Sequence, residues 1–310
     1  GDVALSGTLI LPAEGKTFPA VVITHGGTPN ERGGYKSWAL HYARKGVAAL
    51  IYDKRGAGKS SGETRSASME DLAGDAAAGV SFLKTRAEID AEKIGVIGHS
   101  QGGWIAPLTA TKSKDVAFVI ASAASGISPD KQSIYHRANV MREAGFSEDA
   151  VKIASDLRAR LYATGRMLLK NDPNAEVERQ KISAELAKYA KEPWLDAAAL
   201  PPNLDNDKPT RGGLQLLFFK PVPMWEKVKV PVLLVWGDKD TVVPVAEGKT
   251  IIENALKKAA NRDVTVKIFP NVNHGVVLVN QDKSWDFPRV DLNYYAAMVE
   301  WTLARINKKG

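Results

Sequence analysis

Ser100 lies in Gly98-His99-Ser100-Gln101-Gly102, between the apolar run of residues 93–98 and a segment opening at Gly102 that has helical character. A serine hydroxyl is a weak nucleophile at neutral pH. It attacks a carbonyl only when a neighbouring base takes its proton and an acid orients that base. A serine on a strand-to-helix turn stands on a bend so sharp that side chains two positions before and after it would meet neighbouring backbone, which accounts for Gly98 and Gly102. The helix start beyond the turn also directs N–H groups and the positive end of a dipole at the reacting oxygen.

The base has few candidates. The chain holds five histidines, His25, His41, His99, His136 and His274. Around a strand-turn-helix serine the partners follow in chain order as serine, acid, histidine. Only His136 and His274 come after Ser100, and His136 falls in a helical stretch before any acid-bearing strand end. His274, in the polar loop Pro270-Asn271-Val272-Asn273-His274-Gly275 after the last strand, is the expected base. The acid belongs at the end of the preceding strand, where Trp236-Gly237-Asp238-Lys239-Asp240-Thr241 offers two aspartates. Asp238 falls in the turn itself, where Asp favours local backbone hydrogen bonds, and Asp240 reaches further toward the histidine loop. Asp240 is the expected acid, with Asp238 as the alternative.

A tetrahedral oxyanion needs preorganised donors. One is expected from the N–H of Gln101. The other should come from the loop His25-Gly26-Gly27-Thr28-Pro29, where Gly27 lets substrate approach the backbone. His25 reads as a structural group holding that loop, and His99 as packing beneath the serine. The segment Tyr52-Asp53-Lys54-Arg55-Gly56-Ala57-Gly58-Lys59-Ser60 resembles a phosphate loop only superficially, because the four-residue gap before Gly-Lys-Ser is missing. Nucleotide binding is rejected there; Asp53 and Arg55 are expected to brace the glycine turn.

These residues require a frame. Apolar runs at 3–11, 20–24, 47–52, 94–97, 116–121, 230–236 and 264–269 read as buried strands. Helical patterns at 36–45, 69–86, 102–112, 245–260 and 293–308 alternate with them, which builds an α/β fold with a mainly parallel central sheet flanked by helices. The alternation stops over 127–229. There helices are expected at 147–170 and 175–190, and the proline-rich stretch 192–213 reads as an irregular connection. The domain reading is a catalytic core of 1–126 and 230–310, with 127–229 inserted before the acid-bearing strand as a helical cap or lid.

At 310 residues, with 44% hydrophobic and 25% charged residues, the composition is that of a globular protein large enough for a core and an insert. The net charge of +7 is spread without basic runs, which reads as a solvated surface, and no nucleic-acid partner is expected. Without cysteine, a disulfide framework, a thiolate metal site and a cysteine nucleophile are excluded. No apolar stretch reaches the roughly 20 residues that span a bilayer, so no integral membrane association is expected. The chain opens on Gly1 without a visible signal peptide; the expectation is a soluble protein, with a periplasmic or secreted location in view.

Through His25-Gly26-Gly27, Asp53-Lys54-Arg55-Gly56-Ala57-Gly58, the Ser100 turn, Gly237-Asp238-Lys239-Asp240 and Asn273-His274-Gly275, the chain resembles the α/β-hydrolase superfamily. It is most similar to bacterial esterases and to the catalytic domains of prolyl-oligopeptidase-like serine peptidases. The resemblance implies acyl transfer through an acyl-enzyme without cofactor or metal, and a lid between the sixth and seventh strands of an eight-stranded sheet. It places the family's first strand before Val3, so this chain starts late or lacks that strand. A serine at the turn sets it apart from relatives with aspartate or cysteine there. The expected activity is hydrolysis of a small-molecule carboxylic ester, against a serine aminopeptidase or acyl-peptide hydrolase using the same residues, and against a non-catalytic binding protein.

Overall fold

A computed structural model describes residues 2–205, 209–279 and 287–306. Its strands are β1 (Gly7–Ile10), β2 (Phe18–Thr24), β3 (Ala48–Tyr52), β4 (Ile89–His99), β5 (Phe118–Ser122), β6 (Val232–Gly237) and β7 (Val264–Phe269). They form one sheet in the order β1-β3-β2-β4-β5-β6-β7, parallel throughout except that β1 runs antiparallel to β3.

The central strands bury both faces, and their alternation divides the core. Val22, Val96, Ala121, Leu234 and Trp236 pack on one side with helices α2 (Met69–Lys84), α3 (Gly102–Lys112) and α10 (Val245–Lys258). Val21, Ile23, Ile97, Ile120 and Val235 pack on the other with α1 (Lys36–Ala43) and α11 (Leu292–Ile306). Buried strands are expected at both ends of the sheet as well, yet β1 and β7 are only half-buried. Both are edge strands, and each has a single neighbour. Residues 3–6 form no strand at all. The expected helix end at Lys308 lies outside the described residues.

Between β5 and β6 the described residues hold helices and no strand: α4 (Pro129–Glu143), α5 (Glu148–Leu169), α6 (Ala175–Lys188), α7 (Trp194–Ala197), α8 (Arg211–Leu217) and α9 (Pro221–Trp225). The stretch 192–213 is therefore not wholly irregular. Pro193 stands just before α7, and proline is tolerated at a helix start because its missing N–H would have no helical partner there. Thr210 caps α8 by accepting the Gly213 N–H at 3.1 Å. Met141, Leu157, Ile182, Leu186 and Trp194 give these helices an apolar cluster of their own.

Candidate active site

β4 ends at His99 and α3 begins at Gly102, so only two residues make the turn. Ser100 takes a left-handed φ of 57°, a conformation that L-residues avoid and that persists where surrounding contacts impose it. Those contacts are its N–H to Ser122 O at 2.9 Å and its carbonyl accepting from Gly103 N–H at 2.8 Å. A Cβ on Gly98 would stand 1.8 Å from the carbonyl oxygen of Gly102, and one on Gly102 would stand 2.7 Å from Thr24 Oγ1. Both glycines are thus steric conditions for the turn.

The structure brings three of the expected residues together. His274 Nε2 lies 2.9 Å from Ser100 Oγ, and His274 Nδ1 lies 2.8 Å from Asp240 Oδ2. The other oxygen of Asp240 accepts the N–H groups of Val242 and Val243 at 2.8 and 3.0 Å, which holds the carboxylate plane in place. Asp238 is turned elsewhere. It accepts the Asn271 N–H at 2.7 Å and so ties the acid loop to the histidine loop. Asn273 shapes the latter, its side-chain oxygen accepting from Gly275 and Val277 N–H at 3.0 and 3.1 Å.

The loop after β2 comes close to Ser100: a Cβ on Gly26 would lie 4.0 Å from the Ser100 Cβ. The Gly26 N–H is bound to the Tyr35 hydroxyl at 2.8 Å. Among the described residues no acceptor holds the N–H of Gly27 or of Gln101, the two expected oxyanion donors. His25 is buried and donates through Nε2 to Tyr52 O at the end of β3. Burial lowers it to about 4, with the Lys54 charge acting in the same direction, so it is neutral at pH 7.

The segment after β3 supports this loop. Asp53 accepts from Arg32 through both backbone and side chain, at 2.8 and 2.7 Å, and from Lys59 N–H at 3.0 Å. Arg55 holds Asp75 of α2 with two bonds of 2.7 Å. Sequence reasoning missed two contributors: Tyr35, and Lys54, whose buried ammonium donates to Gly26 O at 2.8 Å, Thr28 O at 3.3 Å and Gln101 Oε1 at 2.7 Å. Burial lowers Lys54 to about 8. The available signal was its place two residues after a wholly buried strand, between Asp53 and Arg55.

His99 packs beside His274 with ring centroids 5.2 Å apart, and its Nδ1 meets Ser122 Oγ at 3.0 Å. Burial holds it near 3, a neutral neighbour that does not oppose a charge on His274. His136, on α4, makes no bond to Ser100; burial lowers its pKa, helped by Arg137 and His274. A cavity of about 750 Å³ lined by Leu5, Leu9, Tyr52, Asp75 and Phe82 includes none of Ser100, Asp240 or His274.

A mainly parallel sheet flanked by helices, with a serine on the β4–α3 turn, is the α/β-hydrolase fold. Residues 15–281 match the serine aminopeptidase S33 family, and the chain belongs to it. It is 24% identical over 278 residues to esterase EstD of Thermotoga maritima, covering 87% of this chain and 57% of EstD, so it spans little more than half the length of that relative. To a non-heme haloperoxidase of Rhodococcus erythropolis it is 24% identical over 264 residues, covering 84% of this chain and 88% of that one.

Solved structures share the fold. Est1E of Butyrivibrio proteoclasticus with bound ferulic acid superposes with a TM-score of 0.58 at 18% identity, covering 99% of this chain and 97% of the other. A monoacylglycerol lipase of Paleococcus ferrophilus superposes with a TM-score of 0.56 at 20% identity, covering 97% and 99%. No described helix is long and apolar enough to cross a membrane.

Proposed function

We propose that this protein hydrolyses carboxylic esters, with Ser100 as nucleophile, His274 as general base and Asp240 as the acid that orients it. The observation that carries this is the continuous line from Ser100 Oγ to His274 Nε2 to Asp240, with bonds of 2.9 and 2.8 Å. A carboxylate only accepts, so Nδ1 of His274 carries the hydrogen toward Asp240 and Nε2 is left to take the Ser100 proton. As Ser100 Oγ bonds to the ester carbon, negative charge moves to the carbonyl oxygen, where the Gly27 and Gln101 N–H groups receive it. His274 then gives its proton to the departing alcohol. Water, deprotonated by the same imidazole, attacks the acyl carbon; the bond to Ser100 Oγ breaks, His274 returns the proton to that oxygen, and the acid is released.

The relative named an esterase and the structural neighbour named a lipase support an ester as substrate. Residues 127–229 would act as a lid over the acyl and alcohol sites. The family's description supports a second reading, a serine aminopeptidase with the same three residues.

The test is a fluorophosphonate probe with peptide mapping, followed by hydrolysis of short-chain p-nitrophenyl esters and of matched aminoacyl anilides. Labelling at Ser100 and ester turnover that Ser100→Ala abolishes without loss of fold is the expected result. Turnover retained in Ser100→Ala sinks the assignment. Faster cleavage of anilides than of matched esters selects the peptidase.

A further inference from the structure

The Lys54 ammonium is almost fully enclosed, and all three of its hydrogen-bond partners are neutral oxygens. No carboxylate pairs with it among the described residues. Its acidic neighbours are committed elsewhere, Asp53 to Arg32 and Asp75 to Arg55. An enclosed charge without a counter-charge is costly, and a methionine would fill the same space without that cost. The ammonium is therefore not explained by packing.

Its partners connect it to both oxyanion donors. The carbonyl of Gly26 and the N–H of Gly27 belong to one peptide group, and that peptide is trans. In a planar trans peptide the C=O and N–H point in opposite directions. Lys54, by holding the Gly26 oxygen, therefore aims the Gly27 N–H away from itself, and a charged donor on the carbonyl polarises the N–H at the far end. Its third bond, to Gln101 Oε1, fastens the same ammonium to the residue that supplies the second donor. One side chain thus links two loops that are 74 residues apart in the chain, as the numbers of Gly27 and Gln101 show.

From this geometry we infer that Lys54 is the positioning residue of the oxyanion site, setting the orientation of the Gly27 N–H and placing a positive charge behind that peptide, where it strengthens the N–H as a donor to the developing oxyanion. This rests on Ser100 being the nucleophile. No bond to Lys54 forms or breaks in the reaction. Its contribution grows only as negative charge appears on the substrate oxygen, so it acts on kcat and little on KM.

The absence of native cysteine permits a clean test. Lys54→Met and Lys54→Cys are prepared, and the cysteine variant is alkylated in denaturant with 2-bromoethylamine, which rebuilds the ammonium at nearly the same reach. Wild type passed through the same unfolding and refolding is the reference, and circular dichroism with denaturation midpoints certifies each fold. The expected result is a kcat lower by at least about tenfold in Lys54→Met and unmodified Lys54→Cys, with KM within about threefold and kcat recovered on aminoethylation. A folded Lys54→Met with wild-type kcat overturns the inference. So does a folded, aminoethylated protein that stays as slow as unmodified Lys54→Cys, because shape rather than charge would then be at issue. Wild type that reacts with a fluorophosphonate at a residue other than Ser100 overturns the reading of the site, and this inference with it.

Discussion

The side chain of Asp240 is completely enclosed, whereas that of His274, hydrogen-bonded to it at 2.8 Å, remains 19% exposed. The Asp240 carboxylate is shielded and held by two backbone N–H groups, and the histidine keeps part of its side chain exposed. This arrangement suits a fixed orienting group and a base that must meet both substrate and water. Asp238, two residues earlier, is 38% exposed and serves the loop instead.

Asp240→Asn is therefore expected to lower kcat by roughly 10³-fold or more, since an amide no longer fixes the imidazole in the productive tautomer. Asp238→Asn should stay within about fivefold of wild type, the equivalent of about 1 kcal/mol for one exposed hydrogen bond. Steady-state kinetics on one ester separates them, and the opposite ranking would move the acid to Asp238.

Gly98→Ala should be far more damaging than Gly102→Ala. At Gly98 the added methyl meets backbone at 1.8 Å, but at Gly102 its nearest contact is a threonine hydroxyl at 2.7 Å. Urea unfolding is expected to show a loss of at least about 3 kcal/mol for Gly98→Ala, the scale of forced overpacking. Equal stability of the two variants would contradict the turn geometry.

His25 makes stability depend on acidity. Its folded value, about 4, lies below the ordinary 6.5, so the unfolded chain binds a proton first as pH falls. Its contribution is fully present above pH 6.5 and is lost toward pH 4, with a slope of up to about 1.4 kcal/mol per pH unit. Lys54, Asp53, Tyr35 and Tyr52 are the groups around it. Denaturation midpoints of wild type and His25→Asn between pH 4 and 7 check this, and the variant should show the flatter profile.

Lys54 should give opposite signs for rate and stability. Its ammonium loses its proton above about pH 8 in the folded chain, against 10.5 ordinarily. With His25, Asp53, Arg55 and Asp75 as the charged and titratable groups nearby, kcat should fall as pH rises through 8, and the limb should vanish in Lys54→Met. Over the same window the unfolded chain holds more protons, so Lys54 contributes rising stability from about pH 8 to 10.5. Parallel loss of rate and stability in wild type alone would contradict this.

Much of the site was legible because chemistry with strict steric demands leaves local marks. Gly98 and Gly102 mark a turn with no room for larger side chains at Gly98 and little at Gly102, and few histidines with a fixed partner order isolate His274. Asp240 over Asp238 was a weaker inference, since two aspartates in one loop differ only in where folding points them. The short helices α7 and α8 were missed because prolines near their starts read as breakers. The exposure of β1 and β7 was missed because an apolar run does not say whether it lies at the edge of a sheet.

The sequence by itself determined the alternating α/β frame, the serine turn and the short list of residues able to act with it, because each is written within a few neighbouring positions. The tertiary structure alone decided that Ser100, His274 and Asp240 stand within 2.9 Å of one another in turn, and that Lys54 reaches both Gly26 and Gln101. Those distances join segments far apart in the chain. They depend on strand order and on which loops meet at the carboxyl ends of the strands, and no local pattern of residues encodes that.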